Sequence, residues 1–180
     1  MASFGDTADA ARRRTLAVLG AAAILPLVRP ALGAGSPAPV VGALLSLPDT
    51  QLLDGKVLRA ADVAGKVMLV KYWATWCPIC VSEMPQLQRF YAVHRHRGFE
   101  SLALSLGAGA AEVELFWEGT GYQFPVAMNT PAHTRTFGQI LGTPTFFLLD
   151  RKGVLRQRVV GPFSPRRMEE VIVPLLGAPA

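Results

Sequence analysis

The sequence predicts an α/β domain with a mixed central sheet, helices on both faces and an N-terminal β-hairpin extension. Three observations carry that expectation. An apolar run over residues 67–72 ends in a Cys-x-x-Cys pair, Cys77 and Cys80, and is followed by Met84, Leu87 and Tyr91 at helical spacing. Strand-like and helix-like stretches then alternate as far as Leu141, the pattern of a βαβ unit. Last, two β-rich runs, 145–150 and 154–160, flank the turn Asp150-Arg151-Lys152-Gly153.

The chain has 180 residues, which favours one domain. It is 51% hydrophobic and 17% charged, with a formal net charge of +5. Outside the first 34 residues, 14 basic side chains face 11 acidic ones. No dense Lys/Arg stripe interleaved with aromatics marks a nucleic-acid footprint, so no nucleic-acid partner is expected.

Residues 1–34 read as an export signal. Arg12-Arg13-Arg14 precedes an apolar core, 15–25, that is too short for a comfortable spanning helix and is followed by Pro26 and Pro30. Ala31, Gly33 and Ala34 offer a cleavage site. The arginines resemble a twin-arginine signal, with Thr15 where Phe is usual. A general secretory signal and an uncleaved anchor are the alternatives. In each case the protein is periplasmic and its thiols meet an oxidising compartment. Residues 35–43 form a Gly/Ser/Pro linker, and 44–180 form the domain.

Within the domain, 44–47 and 57–58 flank Asp54-Gly55 and predict a hairpin. Residues 62–66 turn the chain into the central strand. The helix after the cysteines spans 78–95. Pro85 kinks it by removing a hydrogen bond toward Val81, and Gly98 ends it. A strand over 101–106, a loop over 107–109, a helix from 112 to 118 and a helix over 134–141 follow. Pro144 cannot donate inside a central strand, so it opens the strand that begins at Thr145. Ser164-Pro165 caps a last helix that runs to Leu176.

Cys77 falls at a helix N-terminus, where free N–H groups and the helix dipole favour a thiolate. Pro78 suits the first turn, where its missing N–H would be unsatisfied anyway. Cys80 lies one turn on, close enough to close a short disulfide. These are the only cysteines, so no disulfide framework spans the chain. Half a zinc site would need two further ligands. His94 and His96 lie near the end of the helix after the cysteines and His133 is isolated, so no metal site and no cofactor are expected.

The residues Trp73-Ala74-Thr75-Trp76-Cys77-Pro78-Ile79-Cys80, Glu83-Met84-Pro85 and Gly142-Thr143-Pro144-Thr145-Phe146 resemble the TlpA/ResA-type thioredoxin-like proteins of the bacterial envelope. The Cys-Pro-x-Cys form is similar to the cytochrome c biogenesis (CcmG/DsbE-like) branch. The resemblance covers about Leu44 to Leu176. It implies a thioredoxin-like fold with a short strand over 121–126 after the helix at 112–118, and a cis Thr143–Pro144 bond facing the cysteines. It also implies a monomeric thiol–disulfide oxidoreductase that reduces a client protein bearing a cysteine pair and is recharged by a membrane electron donor. Cys77 is then the nucleophile and Cys80 the resolving thiol.

The supporting residues each have a bland alternative. Glu83 matches a family acid that could relay a proton and would raise the thiol pKa values by like charge, or it is a solvated glutamate. Lys71 stands where thioredoxin has a buried acid and TlpA-like members often have Asn. Beneath the motif it would lower a thiolate pKa and the usual buried proton acceptor would be absent; otherwise it snorkels at a strand edge. Trp73 is expected in the core. Trp76 is expected on an apolar rim where substrates lie. Thr143 could offer backbone groups to an extended peptide. The same fold also permits a thiol oxidant. A Cu(I) metallochaperone using the two thiolates and His133 is a further alternative. No peroxiredoxin-type Pro-x-x-x-Thr-x-x-Cys element is present.

Overall fold

The computed structural model describes residues 36–107 and 109–178. The export signal expected in 1–34 lies outside the described residues. The elements are β1 (Thr50–Gln51), β2 (Val57–Leu58), α1 (Ala60–Val63), β3 (Val67–Trp73), α2 (Pro78–His94), β4 (Phe99–Ser105), α3 (Ala110–Glu118), β5 (Val126–Met128), α4 (Pro131–Phe137), β6 (Thr145–Leu149), β7 (Leu155–Val160) and α5 (Pro165–Gly177).

The main sheet has the order β5-β4-β3-β6-β7. β3 pairs parallel with β4, and β4 parallel with β5, while β6 pairs antiparallel with both β3 and β7. β3 therefore lies at the centre, and all seven of its residues are buried. Its alternation divides two cores, because successive side chains of a strand leave by opposite faces. Val67, Leu69 and Trp73 enter one, with Met84, Leu87 and Tyr91 of α2 and Met168 and Ile172 of α5. Met68, Val70 and Tyr72 enter the other, with Phe137 of α4, Leu58 and Phe147. Two apolar faces need two covers, so helices flank the sheet on both sides. Among the described residues no helix is long and apolar enough to cross a membrane.

Several elements differ from the sequence reading. The hairpin exists, but its first arm is Thr50–Gln51, in register Thr50↔Leu58 and Gln51↔Val57. The tight turn at Asp54-Gly55, closed by Leu52 N–H donating to Lys56 O at 2.8 Å, leaves only the residues just before it opposite β2. Residues 44–47 are engaged elsewhere. Leu44 bridges Val154, and Leu45 N–H donates to Gly153 O at 2.9 Å. The stretch expected as a linker also lies against the domain. Ser36 O accepts from Gln139 N–H at 2.9 Å, and Gly42 N–H donates to Leu155 O at 2.8 Å.

β5 begins at Val126 and not at 121, because Pro125 has no N–H to give the ladder; its carbonyl accepts from Ala103 N–H at 2.9 Å. Tyr122 and Phe124 pack on Trp117 instead, at ring separations of 5.4 and 5.2 Å. α4 spans Pro131–Phe137 where 134–141 was expected. Thr130 caps it, its hydroxyl accepting from His133 N–H, and Pro131 opens it. Gly138, at φ +77°, ends it. β4 begins two residues early, at Phe99, directly after the left-handed Gly98.

Gly138 is where the N-terminal stretch crosses the domain. A Cβ there would stand 2.6 Å from Ala38 Cα and 2.7 Å from Pro37 O, in a backbone conformation that L side chains avoid. Gly138→Ala is expected to cost at least about 1–3 kcal/mol. Gly119→Ala, at an ordinary φ of −78° with open space around it, should stay within about 0.5 kcal/mol of the parent. Guanidinium unfolding midpoints check the pair; equal midpoints would contradict this packing.

Candidate active site

β3 delivers the chain through Ala74, Thr75 and Trp76 to Cys77, whose N–H donates to Ala74 O at 3.1 Å. Cys77 is the N-cap of α2, and its Sγ accepts from Cys80 N–H at 3.3 Å. Pro78 occupies the first helical position. Cys77 and Cys80 form a disulfide with their Cα atoms 5.2 Å apart. Cys77 keeps 6% of its surface exposed and Cys80 none, so an incoming reagent meets Cys77 first. Trp76 and Ile79 stand exposed on either side of Cys77 in the chain, while Trp73 is fully buried.

The Thr143–Pro144 bond is cis. Thr145 pairs with Tyr72, so Pro144 falls one residue beyond, at the end of β3 where the cysteine motif begins. Pro144 O accepts from Gly161 N–H at 2.8 Å, which ties this turn to the segment before α5. Thr143 contributes its peptide group to the same turn.

Lys71 and Glu83 meet beneath the disulfide. Lys71 points to the same face of β3 as Leu69 and Trp73 and has no exposed surface. Its Nζ donates to Cys80 O at 3.0 Å and to Glu83 Oε2 at 3.3 Å, and lies 5.3 Å from the centre of the Phe146 ring. Glu83 is buried, and its second oxygen accepts from Phe163 N–H at 2.7 Å. Neither a snorkelling lysine nor a solvated glutamate describes these positions. A strand-edge reading of Lys71 fails because β4 and β6 cover β3 on both sides. Burial pushes the Lys71 ammonium down to about 8, against the attraction of Glu83. The Phe163 contact was not legible in the sequence, where Gly161-Pro162 signalled only the end of a strand. Thr75 also donates its hydroxyl to Glu112 at the start of α3.

His133 sits away from these groups in the network of contacts. Its Nε2 faces Thr50 Oγ1 at 2.9 Å, and its Nδ1 accepts from Thr130 N–H at 3.1 Å. Both ring nitrogens are therefore engaged: Nε2 joins α4 to the hairpin, and Nδ1 closes the cap of α4. His94 packs at a tilt against Phe90, ring centres 4.3 Å apart, and faces Glu169 at 3.5 Å. Among the described residues no three His, Cys, Asp or Glu side chains are grouped as for a metal.

This topology, with a cysteine pair across the first turn of the helix after the central strand and a cis-proline opening the next, defines the thioredoxin-fold class of thiol–disulfide proteins. The family model described as Redoxin matches residues 34–172, and the chain belongs to that family. It is similar to the thiol-disulfide oxidoreductase ResA of Geobacillus kaustophilus (strain HTA426), at 32% identity over 124 residues, 68% of this chain and 71% of that protein. Among solved structures it is similar to a thiol:disulfide interchange protein of the thioredoxin family from Chlorobium tepidum TLS. The identity is 30% and the TM-score 0.69, covering 81% of this chain and 99% of that one. A candidate thiol:disulfide interchange protein DsbE from Chlorobium tepidum matches at 26% identity and a TM-score of 0.64, covering 79% and 99%. The chain is a thiol–disulfide oxidoreductase of the ResA/DsbE type.

The buried histidine gives a pH signature. Desolvation pushes His133 down to about 4 from an ordinary 6.5. Between those values the unfolded chain binds the proton and the folded chain does not, so stability falls as pH drops through that window. The expected contribution is about 2–3 kcal/mol, lost between about pH 6.5 and 4. Unfolding free energies measured across that range, for the parent and for His133→Gln, should give a shallower slope in the variant; parallel curves would contradict it.

Proposed function

We propose that the protein is an exported enzyme that reduces disulfides of envelope client proteins through a Cys77–Cys80 dithiol/disulfide cycle. The carrying observation is the unequal exposure of the two sulfur-bearing residues at a helix N-terminus. In the reduced enzyme the Cys77 thiolate, favoured by the helix dipole, attacks one sulfur of the client disulfide. That S–S bond breaks, a Cys77–client mixed disulfide forms, and the departing client sulfur takes a proton. Cys80 then loses its proton and attacks Cys77 Sγ. The second client sulfur leaves and is protonated, and the Cys77–Cys80 bond closes. The client gains two electrons and two protons, and the enzyme gives them up. A membrane dithiol donor returns the enzyme to its reduced state by the same exchange in reverse.

Trp76 and Ile79 would offer apolar contact to residues flanking the client cysteine. The backbone at Thr143 and Pro144 would receive the client as an extended strand. The export signal in 1–34 puts the reaction in the periplasm, with the chain acting as a monomer. Pro78 and Ile79 bring no charge between the cysteines, which supports the reducing direction.

A Cys77→Ser variant should reduce a disulfide-containing test protein no faster than buffer with the same donor. A Cys80→Ser variant should accumulate a mixed disulfide with it, visible as a mass increase that dithiothreitol reverses. Full disulfide-exchange activity in Cys77→Ser would sink the mechanism.

A further inference from the structure

A lysine at the centre of a wholly buried strand requires a reason. The cross-strand neighbours of Lys71 are Ala103 and Phe146, and it shares its face of β3 with Leu69 and Trp73. An apolar side chain would fill this site without removing an ammonium from water, and a buried ion pair is weak evidence for stability. Both hydrogen-bond acceptors of Lys71 belong to α2, the helix that carries the cysteines: the Cys80 carbonyl and the Glu83 carboxylate.

We propose that Lys71 and Glu83 act as one charge-balanced pair that sets the poise of Cys77–Cys80. The Glu83 carboxylate opposes thiolate formation and the Lys71 ammonium offsets it. Lys71 is then a positioning residue for the reaction, acting on the thiols through charge and through its hold on the first turn of α2. The proposal rests on the redox cycle above and adds what tunes it.

Other charges near the motif stand on its outer side. Arg167 of α5 lies over the Phe163 ring at 5.8 Å, and Glu112 of α3 holds Thr75; both side chains are exposed and screened by water. β4 and β6 face Lys71 with Ala103 and Phe146 and bring no charge. Among the described residues, Lys71 and Glu83 are thus the charged groups on the dry side of the disulfide, where electrostatic effects are least screened. Burial already presses Lys71 toward its neutral form while Glu83 resists, so the pair is sensitive to a new negative charge beside it. A Cys80 thiolate formed when the disulfide opens is such a charge. It draws on the ammonium that the carboxylate otherwise holds alone.

The two single variants must therefore move the thiols in opposite directions. Lys71→Met leaves the carboxylate unopposed, so the thiolate titration should move up by about one unit, a tenfold loss of thiolate at a fixed pH on the slope. Glu83→Gln takes away the carboxylate that holds the Lys71 proton and keeps an acceptor for Phe163 N–H; a Cys80 thiolate is then the anion left to pair with the ammonium, so the thiol titration should move down. The double variant should return close to the parent. The titration is read on reduced protein by thiolate absorbance. Equilibration with glutathione should show Lys71→Met shifted toward disulfide and Glu83→Gln toward dithiol.

A purely structural pair would lower unfolding midpoints without this opposition of sign. If Lys71→Met does not fold, Glu83→Gln carries the test alone. Titrations that superimpose on the parent, or that move the same way in both single variants, overturn the proposal. A parent protein that does not exchange reversibly with glutathione would instead overturn the redox cycle itself, so the two failures are distinguishable.

Discussion

The ion pair between Lys71 and Glu83 is the constraint around which the active-site end of the molecule is arranged. An ammonium cannot lie in an apolar core unsupported, because the effective cost of burying one unpaired ion is several kcal/mol. Glu83 must therefore enter from α2, and its second oxygen must find a donor, which is Phe163 N–H. The segment that supplies that donor also bonds Pro144 O through Gly161 N–H. Strand β3, helix α2, the cis-proline turn and the start of α5 are thus joined through one buried polar network. Removing one member would leave a charge uncompensated, at about 3–5 kcal/mol for a buried pair, far more than the loss of a surface ion pair such as Arg166–Glu170.

Much of the fold was legible because local and long-range signals agree in the centre of the chain. Apart from Lys71, the run 67–72 is apolar on both faces, as a strand covered on both faces must be, and β3 is such a strand. The cysteine spacing, Pro78 and the apolar residues Met84, Leu87 and Tyr91 name the helix start and its buried stripe together. The hairpin of β6 and β7 announced itself through Asp150 and Gly153.

Where the reading went astray, a backbone partner decided the outcome. Residues 44–47 have a strand-like composition, yet their hydrogen bonds go to the β6–β7 turn, and nothing local in the sequence names that partner. Pro125 moved the short strand β5 onward, a signal that was present in the sequence, where the strand over 121–126 rested on the family resemblance alone. Thr130-Pro131 is likewise a helix start visible in the sequence, and Gly138 its stop. Lys71 and Glu83 could be singled out by position, but whether each faces water or the other depends on the cover that α2, α5 and β6 supply. That is a tertiary fact.

The chemistry follows from the same arrangement. A thiol at the N-cap of α2 has the helix dipole on one side and a balanced charge pair beneath its partner, which suits reversible exchange. The direction of exchange is the central claim, and the reduction potential of the Cys77–Cys80 pair tests it most directly. Equilibration of the protein with a graded glutathione or dithiothreitol series gives that value. The account predicts a potential in the range of thioredoxin and the glutaredoxins, about −270 to −200 mV. A value near about −120 mV, that of a strong thiol oxidant, would contradict it and reverse the flow of electrons.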